Sequence, residues 1–247
     1  MTINLPEYLI VIEGRDLEGA TQSAYEQQVR VIISTIAARK SGRLVLHWIR
    51  HAGTGLWVVI APYGPYWQKR YGAENALAHP KAEMLPGDFG LQMAMKVNFS
   101  PGTWKLPCSA TSAYCGGPGF LPDEVLLHEL VHAQRHISGL SRQVSLKGTS
   151  LDGFGDEEEF FAVTVANLYI SESGRSASAF PGQSRLRSDH GRGALSADED
   201  WDLVQFLDPA YIRLVKKYCE QHPKLSRGLA GVDAKFNPFR THYRLDA

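Results

Sequence analysis

Two histidines lie at a spacing that suits a shared metal ion. His128 and His132 belong to the pattern H-E-x-x-H, within the run PDEVLLHELVHAQRHIS that begins at Pro122 and ends before Gly139. Proline at the start and glycine just past the end are typical of a helix, and residues four apart lie on one helical face. Two histidines, one further ligand and an open water position form the catalytic type of zinc site. We therefore predict that both imidazoles bind one Zn²⁺.

Glu129 follows the first histidine directly and is expected to act as a base. It is rotated by about 100° from His128 around the helix, so it borders the ion without binding it. Zinc lowers the pKa of a bound water toward ~7, and a carboxylate beside it can accept the proton. The alternative is a non-catalytic metal-binding protein. A structural site has no use for a base between its ligands, so the pattern favours a hydrolase.

A third ligand is expected on the next predicted helix, DEEEFFAVTVANLYIS at 156–171. We prefer Glu159, because Ala162 and Ala166 follow it along one helical face and would allow close packing against the first helix. Glu158 is the alternative ligand. A solvated first turn that complements the helix dipole would also explain several acids at this position.

Two other polar residues are predicted to lie away from the ion. Glu157 shares a helical face with Thr164 and Ser171, so we expect it to face water. His136 is one turn beyond His132, and a third turn would carry it away from the same ion.

The elements around this motif are predicted from periodicity. Apolar residues at helical spacing indicate a helix over 21–39, and two runs rich in Val, Ile and Trp, at 43–49 and 55–63, indicate a hairpin. Residues 64–95 contain several Gly and Pro and suggest an irregular surface segment, whereas 96–100 suggests a strand.

We expect one domain over residues 1–247, with its catalytic core at about 20–172. The Ser/Gly/Arg-rich stretch at 173–200 is predicted to be a mobile loop, and 201–247 to contain C-terminal helices. Within 201–247 the runs WDLVQFL and PAYIRLVKKYCEQ have helical character.

Composition excludes several classes. The chain has 26 basic and 26 acidic residues, and this balance argues against nucleic-acid binding. No apolar run approaches the ~18–20 residues of a membrane span, and the first residues lack the basic start of a secretory signal. Cys108 and Cys115 could form a short disulfide or remain two thiols, and Cys219 is expected in the core.

HELVHAQRH followed by EEFFAVTVANLY resembles the gluzincin zinc metallopeptidases. More narrowly, the chain resembles compact bacterial effector metallopeptidases, such as NleD-like type III effectors and the peptidase domain linked to a type VI spike protein. GRLVLHWI and VNFSP are similar to strands that precede the motif in those proteins, so the likeness covers about residues 20–172. It implies an α+β, zincin-like fold with an N-terminal helix, a small sheet with an edge strand, the HExxH helix and a second, glutamate-bearing helix.

The resemblance also implies site residues. It implies that His128, His132 and Glu159 are zinc ligands and that Glu129 is the base. The strand around Val97–Ser100 would be the edge to which an extended peptide substrate adds.

Gluzincins generally stabilise the oxyanion with a downstream His or Tyr. We select His190, in the sequence SDHGR, for this catalytic role, although an exposed loop histidine is the alternative interpretation. Other candidates are Tyr169, His242 and Tyr243.

The expected function is zinc-dependent cleavage of a target-cell protein by a secreted bacterial effector toxin. Its partners would be a protein or peptide substrate, a secretion-apparatus component and a cognate immunity protein. The chain would be cytoplasmic in the producer and would reach a periplasm or host cytosol by a route that needs no signal peptide. The alternative is a zinc amidase that acts on cell-wall peptide bonds.

Overall fold

The computed structural model describes most of the chain and shows a mixed α+β protein. Seven α-helices and seven strands occur in the described part. No helix in that part is both long and apolar enough to cross a membrane. The described residues are 2–14, 17, 19–52, 54–62, 77–85, 90–101, 119, 121–176, 183–190, 194–196 and 208–245.

The elements are numbered in chain order. The helices are α1 (Gly19–Ala37), α2 (Lys40–His51), α3 (Pro122–Ile137), α4 (Glu157–Glu172), α5 (Pro209–Gln221), α6 (Pro223–Ala230) and α7 (Pro238–Leu245). The strands are β1 (Ile3–Leu5), β2 (Ile10–Ile12), β3 (Val58–Ala61), β4 (Leu77–Leu85), β5 (Gly90–Asn98), β6 (Gln183–Arg187) and β7 (Ala194–Ser196).

The contacts divide the chain into two compact units. One consists of residues 1–38, 45–116 and 120–140, and the other of 39–44, 117–119 and 141–247. The expectation of a single domain stays a prediction.

A five-stranded sheet forms the centre of the first unit, in the order β1-β2-β3-β5-β4. The inner pairs β2–β3 and β3–β5 are parallel, and the outer pairs β1–β2 and β4–β5 are antiparallel. The residues of β2 and β3 are all buried and apolar, as expected of parallel strands covered on both faces. The sheet therefore has an apolar centre with antiparallel strands outside it.

The predicted substrate edge at Val97–Ser100 is wrong. Asn98 of β5 aligns with Ala61 of β3 on one side and with Leu77 of β4 on the other, so β5 lies inside the sheet. The outer strands of the described sheet are β1 and β4. Much of the stretch 64–95 that was expected to be irregular thus supplies β4 and the start of β5.

Helix α1 confirms the prediction for 21–39. The five apolar residues that carried its periodicity are all buried, and its Tyr25 hydroxyl donates to the Phe99 carbonyl oxygen at 3.0 Å. Burial raises the pKa of Tyr25 well above its usual value, with a further rise from neighbouring Glu26. This hydrogen bond connects α1 to the chain just after β5. The five buried apolar residues of α1 that carry the helical period are Tyr25, Val29, Ile32, Ile33 and Ile36.

The predicted hairpin over 43–49 and 55–63 is wrong, because its first half lies in helix α2. Val45 and Leu46 are both buried, whereas His47 is exposed. Adjacent strand residues face opposite sides of a sheet, but the narrow apolar stripe of a helix can bury both. The period of the pattern is therefore helical.

The second unit contains α4, which begins and ends within one residue of the predicted helix at 156–171. The segment at 173–200 was expected to be a loop, but it contains the antiparallel strands β6 and β7. Leu186 and Arg187 of β6 are buried, so part of this segment packs into the unit. Its mobility stays a prediction.

The predicted helix at 209–221 is confirmed as α5, whereas α6 and α7 lie in a region that was expected only to contain C-terminal helices. These three helices contact one another. Cys219 of α5 is buried, which confirms its predicted place in the core. The predicted helix at 201–207, Cys108 and Cys115 lie outside the described residues.

Candidate metal centre

Helix α3 carries the histidine motif and is buried along most of its length. It contacts α1, β4 and β5. At its start the Leu121 N–H donates to Oε2 of Glu124 at 3.1 Å, and after its end Gly139 has a φ of +68°. That angle lies in the left-handed region, which favours glycine just beyond a helix. The sequence therefore fixes both ends of α3.

The two motif histidines point to the same place. Their Nε2 atoms are 3.1 Å apart and their rings meet edge-on, with centroids 4.7 Å apart. Two ligands of one tetrahedral zinc ion, each ~2.05 Å from the metal, are separated by roughly 3.3 Å. The imidazole pair is thus close to the spacing that zinc requires. His128 is buried and His132 is half-buried.

Two buried polar residues near the end of α3 have structural partners. The guanidinium of Arg135 donates to the carbonyl oxygen of Leu140 at 3.1 Å. The side-chain amide of Gln134 donates to the Ser138 hydroxyl at 2.9 Å. These contacts satisfy polar groups at the end of the helix, as burial demands.

The acids at the start of α4 have different roles. Asp156 caps the helix, because its Oδ1 accepts the Glu159 N–H at 3.0 Å. Oε1 of Glu158 accepts the N–H of Arg142 at 2.9 Å. Glu157, expected to face water, is buried and pairs with Lys217. Asp156, Glu157 and Glu158 thus make structural contacts within the second unit. The expectation that Glu157 faces water is wrong.

Glu159 is the acid that joins the histidines. His128, His132 and Glu159 each offer one ligand atom, and these atoms all lie within 4.8 Å of one another. In the described part of the chain this is the group of three side chains that can hold a metal ion, and it includes neither Glu158 nor His136. Zinc binds imidazole nitrogens and carboxylate oxygens, so this set of ligand atoms suits it.

His190 contacts Glu159 rather than standing apart in a loop. Its Nδ1 lies 2.7 Å from Oε2 of Glu159, and its side chain is 56% exposed. A role for His190 in stabilising an oxyanion stays a prediction. The other candidates for that role include Tyr169, which is fully buried in α4, and Tyr243, whose hydroxyl is 2.7 Å from that of Ser226.

A second histidine pair shows what the spacing alone provides. His47 and His51 are also four residues apart on a helix, with ring centroids 4.1 Å apart. Both are exposed, and neither belongs to a metal-holding group in the described residues. Partial desolvation, followed by the charges of His51 and Arg50, lowers the pKa of the otherwise exposed His47. The distinguishing feature of the α3 pair is the nearby carboxylate.

Comparison with protein-family models, curated proteins and solved structures found no match. The case for a function therefore depends on the site itself.

Two buried polar residues of the second unit were not predicted from the sequence. The side-chain amide of Asn167 in α4 exchanges hydrogen bonds with the backbone of Arg187, which is a buried residue at the end of β6. A buried asparagine in an apolar helix is a signal of such a contact, because its amide needs partners. The sequence does not say which segment provides them.

Proposed function

We propose that the chain is a zinc-dependent metallopeptidase, with His128, His132 and Glu159 as ligands and Glu129 as general base. The observation that carries the proposal is the convergence of two imidazoles and one carboxylate within 4.8 Å. The glutamate between the histidines adds the feature that separates a hydrolase from a structural site.

Each residue of the proposed site would have a separate role in the reaction. The two histidines and Glu159 would hold the ion, and the carboxylate of Glu159 would reduce its net charge. A bound zinc ion supplies Lewis acidity, which lowers the pKa of water and polarises a carbonyl. The carboxylate of Glu129 takes a proton from the attacking water and delivers it to the amine that leaves. Glu129 is largely buried, so its carboxylate acts in a site with little bulk water.

An extended substrate has a different docking strand from the one the sequence suggested. Because β5 is paired on both sides, the outer strand beside α3 is β4. The backbone groups on the outer side of such a strand can pair with an extended peptide. We therefore assign peptide addition to β4 in this proposal.

The effector role belongs to the same proposal and is supported by the resemblance of the motifs. In it, the chain acts on a protein in a target cell after export by a dedicated apparatus, and an immunity protein protects the producer. A zinc amidase that acts on cell-wall peptide bonds would use the same residues. Toxicity after expression in the cytoplasm or in the periplasm separates the two substrates by compartment.

Zinc content and toxicity of matched variants test the proposal. We would compare the wild type with His132→Ala and Glu129→Gln. The control is the double variant His47→Ala with His51→Ala, which removes an exposed pair of the same spacing. Wild type and control should retain about one zinc ion per chain after dialysis, as a three-ligand site would.

His132→Ala should lose the zinc, and Glu129→Gln should retain it, while both lose toxicity. Loss of zinc from the His47/His51 control alone would place the metal on α2 and contradict the ligand assignment. A wild type without zinc, or toxicity that does not depend on Glu129, would leave a binding protein as the better description.

A further inference from the structure

We infer that His190 is a positioning residue that holds the carboxylate of Glu159 in place for the metal, an inference that rests on the proposed function. Nδ1 of His190 is 2.7 Å from Oε2 of Glu159. A carboxylate has two oxygens, so Glu159 can contact this imidazole and still offer an oxygen to an ion. Partners of this kind orient metal ligands and restrict their rotation.

His190 is mostly exposed, yet its backbone is fixed from two directions. Its N–H donates to the carbonyl oxygen of Gly153 at 3.0 Å. Its own carbonyl oxygen accepts a hydrogen bond from the guanidinium of Arg187. These two hydrogen bonds fix the backbone from which the His190 side chain projects, and the contact with Glu159 then holds the ring.

Arg187 is in turn held against the helix that carries the ligand. The N–H of Arg187 donates to Oδ1 of Asn167, and its carbonyl oxygen accepts from Nδ2 of Asn167, both at 2.9 Å. Asn167 lies two helical turns beyond Glu159 in α4, on the same face. The ligand and the segment that contacts it are therefore fastened to one helix.

Two glycines allow the segment to pack this closely. A Cβ on Gly153 would come within 2.9 Å of the Asp189 Cβ atom. A Cβ on Gly119 would come within 2.4 Å of Cδ of Arg187, and the φ of Gly119 is +69°, which favours glycine. A side chain at Gly119 or Gly153 would therefore force Arg187 or Asp189 to shift. The close approach is consistent with a built support for Glu159 rather than a chance surface contact.

Zinc affinity tests the inference without relying on activity. We would measure the dissociation constant for Zn²⁺ by competition with a chelating dye, for the wild type, His190→Ala and His190→Asn. Asparagine is the conservative change, because its Nδ2 takes the place of the histidine Nδ1. His136→Ala, which removes an exposed histidine one turn beyond His132, is the control. Urea unfolding of each apo protein shows whether the fold is intact.

His190→Ala should bind Zn²⁺ roughly 10- to 100-fold more weakly than wild type, while the apo stability is unchanged. His190→Asn should recover most of the affinity, and His136→Ala should bind as the wild type does. Cobalt-substituted wild type and His190→Ala should differ in their visible spectra, because a displaced carboxylate alters the ligand field.

Three results would overturn the inference. Unchanged zinc affinity in His190→Ala would remove the positioning role, even if turnover falls, and would favour the oxyanion role. Affinity that is equally poor in His190→Asn and His190→Ala would indicate direct ligation by the imidazole. A wild type that binds no zinc would overturn the proposed function and this inference together, whereas the first two results leave the proposed function intact.

Discussion

Neighbouring carboxylates at the start of α4 have different partners, and these partners set the effect of each substitution. Glu158 accepts a hydrogen bond from the Arg142 backbone, whereas Glu159 lies with the histidines and His190. The two residues have the same chemistry and adjacent positions. They are therefore a matched pair for separating stability from metal binding.

We expect Glu158→Ala to lower the free energy of unfolding of the apo protein by about 1–3 kcal/mol, because the partly buried N–H of Arg142 loses a charged acceptor. Its zinc affinity should stay close to that of wild type. Glu159→Ala should leave the apo stability close to that of wild type and should weaken zinc binding. The loss of zinc affinity should exceed the roughly 10- to 100-fold loss expected for removing a residue that only contacts a ligand. Urea unfolding and dye competition measure the two quantities. Equal zinc affinities in the two variants would contradict the assignment of Glu159.

Tyr25 should make the stability sensitive to alkaline pH. Burial raises its pKa in the folded state, so its proton is bound more tightly there than in the unfolded chain. The stabilisation is complete below the unfolded pKa of about 10 and is lost as pH rises from there through the raised folded pKa. Burial also raises the pKa of Tyr211, with the opposing effect of a hydrogen bond to Thr164 being smaller.

The variant Tyr25→Phe should cost about 1–3 kcal/mol of unfolding free energy near neutral pH, since the Phe99 carbonyl loses its donor. Above about pH 10 its stability should fall less steeply than that of wild type. Denaturant unfolding over a pH series measures both effects. Parallel pH profiles for the two proteins would show that Tyr25 does not ionise differently on unfolding.

At the scale of elements, α2 provides a direct test of helix against strand. Val45 and Leu46 are adjacent and both fully buried, while His47 is exposed. We expect Val45→Ala and Leu46→Ala each to destabilise the fold by more than about 1 kcal/mol, and His47→Ala to change it by less than about 0.5 kcal/mol. Denaturant midpoints compare them. Tolerance of one of the two apolar changes would instead indicate a strand with one exposed face.

The long helices could be predicted from the sequence because local signals agree there. In α3 the proline, the early acids, the motif and the final glycine all mark one helix, and α1 shows a clear helical period. The run RLVLHWI was misread because a short stretch of branched and aromatic residues fits either a strand or a buried helix face. Its true period appears only when its burial is known.

Strand order and side-chain partners depend on residues far apart in the chain, so the sequence could not provide them. Asn98 reads as the end of a strand, but its inner position depends on pairing with Leu77 and Ala61. The sequence predicts that Glu157 faces water, because it does not show that Lys217 pairs with Glu157 in the folded chain. The pairing of His128 with His132 could be predicted because a helix sets it locally, whereas the contact between His190 and Glu159 is tertiary.

At the scale of the whole molecule, zinc should stabilise the folded chain. The proposed ligands lie on helices that are far apart in sequence, so the unfolded chain does not present them together. Zinc at a hundredfold excess over its dissociation constant adds about 2.7 kcal/mol to the free energy of unfolding. For a chain of this size that corresponds to a rise of roughly 5–10 °C in melting temperature.

Thermal melts with zinc and with a chelator measure this stabilisation. His132→Ala should melt at the same temperature in both, and the double change at His47 and His51 should leave the zinc-dependent shift as in wild type. A shift that persists in His132→Ala would show that the stabilising ion binds elsewhere.

The strand order also determines how the chain reaches its native state. The hairpin of β4 and β5 is local, but Ile12 pairs with Ile60 and Ile60 with Val97, across long stretches of chain. Such distant parallel pairings form slowly, because the intervening loops must close before the contacts are made. Until then the apolar runs Ile10–Ile12 and Val58–Ala61 are exposed to water. The newly made chain is therefore prone to aggregate through those two segments, and slower synthesis at low temperature should raise its soluble yield.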